Sequence, residues 1–335
     1  AEIWRDVLGI ATLGIKDDFY EIGGDSLLSI RILARAHKSG LHISPEDFFA
    51  YPTIEGQARV AGEAVEEQLA LPVPERSGLT PVQHWFMEFS GRHRDQWNQS
   101  VLVRTPQQLD FASLKKALRD VITQHEALRT RFREDNGEWI QEVALPPTSD
   151  GNLPLEHLAP EPGEVTRARL KGEADRINRA LDIGRGPLLR LLFAPGEENF
   201  LVIAIHHLVI DAVSWRILLE DLESAWTTYA AGRAPELPAS TATYLQWSTL
   251  LAGYADSDAL RAELDYWHTL PERVSELPRD MGEETGTLIN AGVAVVARVL
   301  AREECEVLLR TVGRKYHTEF SEVLLAALHS ACLLY

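Results

Sequence analysis

The 335-residue sequence contains only two cysteines, Cys305 and Cys332. They have no metal-ligand spacing and cannot build a disulfide framework, so no metal site is expected and a reducing cytoplasm suits the chain. Long apolar runs are missing: no stretch reaches the roughly 20 residues needed to cross a bilayer. The N-terminus, AEIWRDVLGI, lacks the cationic start and apolar core of a signal peptide. Positive charge is also short. Lys and Arg number 33 against 50 Asp and Glu, a formal net charge of −17. Such a surface repels phosphate backbones and anionic lipid, so neither nucleic acid nor membrane is expected as a partner. No glycine-rich phosphate loop occurs, and no nucleotide site is expected. Internal repeats and low-complexity tracts are absent too.

The remaining composition is that of a globular protein, 45% hydrophobic and 25% charged, in a chain long enough for two or three domains. Residues 1–66 read as a small all-α unit. AEIWRDVLGI is one helix. GGDSLLSIRILARAHKSG holds a second, starting at Asp25 or Ser26 and stopped by Gly40. Ile30, Leu33 and Ala34 recur on it at helical spacing and are expected to face the core. A short helix, a break at Pro52 and a last helix complete the unit. The proline-bearing LALPVPERSG places a linker at 67–78.

From residue 79 the pattern is α/β. NQSVLVRT, EWIQEVAL, LLRLLFA, FLVIAIHH and GVAVVARVL read as strands. ASLKKALRDVITQ and SWRILLEDLESAWTTYAAG read as amphipathic helices, the latter with a serine near its start. Trp85 and Phe86 are expected in the core. The proline-containing GRAPELPAS divides this part into 79–240 and 241–335. The chain starts inside a helical pattern and stops at Tyr335 inside another, as a segment of a longer polypeptide would.

Two stretches carry chemistry. In DDFYEIGGDSLLSIRI (17–32), Gly23 and Gly24 permit a tight turn before a helix, with Asp25 and Ser26 at its start. Taken alone, Ser26 is a helix cap or an attachment point; no nearby histidine makes it a hydrolase nucleophile. In HHLVIDAVSW (206–215), a strand sends His206 and His207 to opposite faces, so only one enters a given cavity. Asp211 follows a turn and can orient a neighbour, bind an arginine or cap the next helix. Taken alone, the pair is structural or catalytic.

The first stretch, with FFAYPTIEGQA after it, resembles the carrier (thiolation) domain of non-ribosomal peptide synthetases over nearly all of 1–65. That resemblance implies a 4′-phosphopantetheine arm on Ser26, with Gly23, Gly24 and Asp25 shaping the attachment site. The Asp25 form is typical of carriers that precede an epimerization domain. The second stretch resembles the HHxxxD signature of the condensation superfamily, which has a two-lobed chloramphenicol-acetyltransferase-like α/β fold. VSWRILLEDL, LTPVQHWF (79–86), QHEALRTRF (124–132) and FSEVLLAALHSA (320–331) are similar to motifs of that superfamily, all but QHEALRTRF to its epimerization branch. Ala212 stands where the family commonly has glycine, a change that can trim the cavity beside the histidine.

The resemblance implies that His207 is the catalytic base, that His206 is its structural neighbour, and that Asp211 is structural and paired with Arg129 or Arg131. Ser214 and Trp215 are expected as cap and packing residue, and the helix start there could lend N–H groups to substrate. The implied reaction is L-to-D exchange of the α-proton in a carrier-bound aminoacyl or peptidyl thioester. The implied partners are an upstream adenylation domain, a phosphopantetheinyl transferase and a downstream condensation domain. The glutamate motif that supplies the opposing acid in this family is not found here, so the second lobe is expected to be incomplete, its partner surface exposed, and the segment by itself inactive. Two alternatives stay open: an amide-forming condensation domain, and an inert docking or scaffold module.

Overall fold

The structure, a computed structural model, describes residues 1–63, 72–89, 91–106, 109–159, 167–196, 198–238, 242–270, 297–316, 318 and 320–332. The chain divides into two units, 1–66 with 276–335, and 67–275.

The N-terminal region is built from α1 (Glu2–Leu8), α2 (Ser26–Lys38), α3 (Pro45–Ala50) and α4 (Ile54–Val60), with a two-residue ladder of β1 (Leu41–His42) and β2 (Gly62–Glu63). Polar residues stand where each of the last three helices needs an acceptor for its first N–H groups. The side chains of Asp25, Ser44 and Thr53 accept from Leu28, Asp47 and Gly56 N–H respectively. An aromatic core binds these helices. Phe19 and Phe48 are fully buried, and Phe19 meets Trp4 and Phe48 edge-on at centroid distances of 5.2 and 5.0 Å. On α2 the structure moves one expectation: Ile30 and Ala34 are exposed, while Ser29, Ile32 and Ala36 are buried.

The second unit begins earlier than the expected linker allows. Residues 67–71 of that linker lie outside the described residues, but β3 (Arg76–Gly78) is a strand paired antiparallel with β6. Then come α5 (Pro81–Phe89), β4 (Asn98–Thr105), α6 (Phe111–Gln124), β5 (Thr130–Asp135), β6 (Glu138–Val143), β7 (Leu155–His157), α7 (Arg167–Arg179), β8 (Leu189–Ala194), β9 (Asn199–His206) and α8 (Ala212–Ala230). One sheet has the order β3-β6-β5 and the other β4-β9-β8-β7, with β7 and β8 parallel and the remaining pairs antiparallel.

Strand β9 is apolar on both faces because both are covered. Leu201, Ile203 and Ile205 face α6 and α8, against Leu118, Val121, Leu218 and Leu222. Val202 and Ala204 face the other way, toward Leu170 and Ile177 of α7. Each fully buried leucine or isoleucine here is worth about 1.5–3 kcal/mol relative to exposure. Continuous apolarity in FLVIAIHH is therefore the mark of a strand sandwiched between helices.

Helix α9 (Tyr244–Ala255) does not open the separate region expected from 241. Instead, Ser248 Oγ donates to the Gly78 carbonyl (2.7 Å), and the Tyr244 and Thr80 hydroxyls lie 3.2 Å apart. The same carbonyl accepts from Gln141 Nε2, and buried Gln141 in turn accepts from Gln83. The glutamine of LTPVQHWF is thus a buried tie between α5 and the smaller sheet. In that motif Phe86 is buried as expected, whereas Trp85 is 62% exposed and is not a core residue. Short helices α10 (Asp258–Ala262) and α11 (Leu264–Thr269) follow. Beyond them lie α12 (Arg302–Glu306), a π-helical turn, α13 (Gly313–Tyr316) and α14 (Phe320–Cys332). The expected strand GVAVVARVL falls largely outside the described residues, and its described end, 297–300, is not a strand.

The capping arithmetic can be measured. Asp110 caps α6 through Ser113, whose side chain and N–H hold the carboxyl below the usual carboxylate range. Asp110→Ala should lower stability by about 1 kcal/mol in urea unfolding at neutral pH. A depressed carboxyl stabilises fully above its unfolded value, about 3.9, and loses that contribution as the pH falls through the folded one. The difference between the two proteins should therefore shrink progressively below about pH 4.

Candidate functional site

The attachment motif wraps around Phe19. Its N–H donates to the Pro52 carbonyl (2.7 Å), tying DDFYEIGGDS to FFAYP, and its own carbonyl accepts from Gly24 N–H (2.8 Å). Gly23 has φ +99°, open to glycine at little cost. Gly24 is required for a different reason: a Cβ there would lie 2.5 Å from the Phe19 ring and carbonyl oxygen. Asp25 closes the turn as N-cap, and Ser26 becomes the first residue of α2. The Ser26 side chain is outside the described residues. Its backbone position suits an attached phosphate, because the N-terminus of a 13-residue helix carries partial positive charge.

In the second unit the two histidines part as strand geometry requires. His206 is fully buried, its ring edge-on to Phe86. Nε2–H donates to the Arg94 carbonyl (2.6 Å), and Nδ1 accepts from Leu208 N–H (3.1 Å). Burial pushes this imidazole below its usual range, against the opposing pull of the Arg94 carbonyl and the Asp95 charge. His206 is a neutral ring with both nitrogens spent on backbone.

His207, one residue on, is exposed. Its N–H donates to the Trp97 carbonyl (2.8 Å). Its Nδ1 lies 2.8 Å from the Ile210 carbonyl, which can only accept, so Nδ1 carries a proton whatever the state of the second nitrogen, Nε2. Gln99 Nε2 lies 2.9 Å from that second nitrogen, and Gln99 Oε1 accepts from the Trp215 indole N–H (2.6 Å).

Asp211 is the N-cap of α8. It accepts from both the N–H and the hydroxyl of Ser214, each at 2.7 Å. Partial burial opposes ionisation of Asp211, but these bonds and nearby His207 outweigh it and hold the carboxyl below the usual range. The expected arginine pairing is not found: among the described residues no arginine bonds Asp211. Arg129 donates to the carbonyls of Ile122, Thr123 and Ala144. Ser214 serves the cap rather than forming it. Its N–H is spent on Asp211, which removes it from the donors the helix start was expected to offer. Trp215 is buried as expected, with an indole N–H in use. Ala212 is exposed at the first position of α8.

Two residues escaped sequence reasoning. Gln99 sits opposite Ile205 in the β4–β9 ladder, on the face His207 shares; its only signal is that strand register. His125, read as one scattered histidine, lies 2.8 Å from Asp221 and joins the end of α6 to α8. Among the described residues, no group of His, Cys, Asp and Glu could hold a metal ion, and no helix is long and apolar enough to cross a membrane.

The family model described as "Condensation domain" matches residues 75–333, and the one described as "Phosphopantetheine attachment site" matches residues 1–61. Tyrocidine synthase 2 of Brevibacillus parabrevis is 35% identical over 98% of this chain, which spans 9% of its length. Gramicidin S synthase 1 of Brevibacillus brevis is 33% identical over 97% of this chain, which spans 30% of its length. Among solved structures, the epimerization domain from the third module of tyrocidine synthetase B has a TM-score of 0.67 at 30% identity, covering 76% of this chain and 58% of that one. The X-domain complex from teicoplanin biosynthesis has a TM-score of 0.54 at 25% identity, covering 66% and 49%. The chain therefore belongs to the condensation-domain family, as a two-lobed-type α/β domain preceded by a helical carrier domain whose cofactor is 4′-phosphopantetheine, in the manner of the non-ribosomal peptide synthetases.

Proposed function

We propose that this segment epimerizes the acyl group carried on Ser26, using His207 as the base. The observation that carries the reading is the His207 ring: exposed, with Nδ1 committed to the Ile210 carbonyl and Nε2 facing the Gln99 amide, a bond that an entering substrate would displace. Similarity to an epimerization domain, over 76% of this chain, supports that branch of the family. The LTPVQHWF and VSWRIL stretches point the same way.

The phosphopantetheine arm, when attached, supplies a flexible thioester that can carry its acyl group to a base in another domain. Ser26 would hold it at the positive end of α2. A thioester carbonyl acidifies the adjacent C–H. His207 Nε2 would take that proton while the C–H electron pair passes to the carbonyl oxygen. Return of a proton to the other face yields the D form and calls for a second acid facing the histidine. Neutral His206 stays out of the chemistry, since burial and two backbone bonds leave it no free nitrogen. The expected partners are the adenylation domain that selects the amino acid, a phosphopantetheinyl transferase acting on Ser26, and a downstream condensation domain that takes the D product.

A second reading, amide-bond condensation, is favoured by the family match over residues 75–333. The same Nε2 could accept a proton from an incoming amine.

The test uses the full-length polypeptide with Ser26 loaded with an L-aminoacyl phosphopantetheine in D₂O. Mass spectrometry should show deuterium at the α-carbon without any second carrier. His207→Ala should cut the rate by about 10²–10⁴-fold, the usual worth of a positioned general base. Ser26→Ala should abolish loading, with no change in secondary structure by circular dichroism. Confirmed loading without exchange, together with amide formation once an acceptor amine is added, would transfer the assignment to condensation. Loading with neither reaction would leave a docking module.

A further inference from the structure

We propose that Gln99 is a positioning residue: it keeps the His207 ring neutral, with its lone pair on Nε2. The inference rests on His207 being the base of this site and adds what holds the base ready.

The hydrogen bonds admit one consistent assignment. The Trp215 indole N–H can only donate, so it must meet the Gln99 oxygen. That leaves the Gln99 amide NH₂ facing His207 Nε2 at 2.9 Å, a donor, which requires a lone pair there. On the far side of the ring the Ile210 carbonyl requires a proton on Nδ1. Flipping the Gln99 amide would set two donors against each other at Trp215 and two acceptors against each other at His207. The assignment usually left open for an amide and an imidazole is settled here by two groups that cannot change roles.

Each member is held by a different part of the fold. Gln99 is fixed by the β4–β9 register, opposite Ile205. Trp215 is fixed by the first turn of α8, whose start Asp211 caps. Ile210 is buried in the core beneath the turn. Donation to Nε2 favours the neutral ring, because a protonated Nε2 would offer a second donor to the amide. Asp211 also interacts electrostatically with the ring and is unchanged in the variants below.

Gln99→Glu and Gln99→Leu separate this role from a packing role. Glutamate keeps the shape of glutamine and an acceptor for Trp215, but it presents only acceptors to His207 and so pairs with a doubly protonated ring. Leucine keeps bulk and removes both bonds. In ¹⁵N-histidine spectra followed across pH and assigned against His207→Ala, the native protein should show a neutral ring protonated at Nδ1, and Gln99→Leu should take up its second ring proton at a higher pH than the native protein does. Gln99→Glu should show both nitrogens protonated. In the deuterium-exchange assay on the full-length polypeptide, Gln99→Leu should lose about five- to tenfold, the scale of one hydrogen bond. Gln99→Glu should lose about 10²-fold or more, the scale of a missing base. A packing role predicts the reverse order, with the isosteric glutamate milder. A second ring proton taken up by Gln99→Leu at no higher pH than by the native protein, or exchange faster in Gln99→Glu than in Gln99→Leu, would overturn the proposal. The ring spectra decide it even if His207→Ala leaves exchange intact, an outcome that would instead remove the base assignment.

Discussion

Strand β9 has to be buried on both faces, and most of the second unit is arranged to satisfy that requirement. Its odd-numbered side chains need α6 and α8; its even-numbered side chains need α7. Its backbone N–H and C=O groups need β4 on one side and β8 on the other. The two-residue period then separates the histidines that end the strand. His206 inherits the enclosed even face and is used up as a backbone bridge. His207 emerges on the opposite face at the start of the turn, beside β4 and the first turn of α8. The chemical asymmetry of the pair follows from pleating alone, before any electrostatic effect is considered.

The turn after the strand is as constrained as the strand itself. Asp211 sets where α8 begins by accepting two bonds from Ser214, and that beginning sets the reach of Trp215 to Gln99. The role usually imagined for a conspicuous aspartate near a histidine is a charge relay or an arginine pair. Here its carboxyl is consumed by a cap, and its influence on His207 is through position and field. Arg129, the arginine nearest in expectation, is occupied with carbonyls at the end of α6 and just after β6. Polar groups at the ends of elements are satisfied first, and chemistry is left to those that remain.

The carrier region solves a smaller version of the same problem. Four short helices cannot bury much surface, so an edge-to-face aromatic cluster around Phe19 carries the core, and the attachment loop is folded directly onto that residue. Gly24 is the contact that permits it. The serine is thereby held at a helix start by the packing of the core rather than by a loop free to wander.

Much of this was legible in the residues. The helical carrier, the amphipathic α6 and α8, the doubly apolar β8 and β9, and the divergence of His206 from His207 all follow from local periodicity, which needs no knowledge of distant neighbours. Reading failed wherever the answer depended on a partner far along the chain. Trp85 is as apolar as Phe86, yet only the packing decides which of the two is covered. Residues 76–78 look like linker until β6 pairs with them, and α9 looks like a new region until Ser248 and Tyr244 meet residues 78 and 80. Gln99 is 108 residues from His207 and 116 from Trp215. By itself the sequence determined which elements form and which residue types could do chemistry, because those depend on neighbours within a turn or a pleat. Only the tertiary structure decided which nitrogen of His207 faces the Ile210 carbonyl, what Asp211 binds and which glutamine lies against His207, because a hydrogen bond between strands depends on register, which local sequence does not encode.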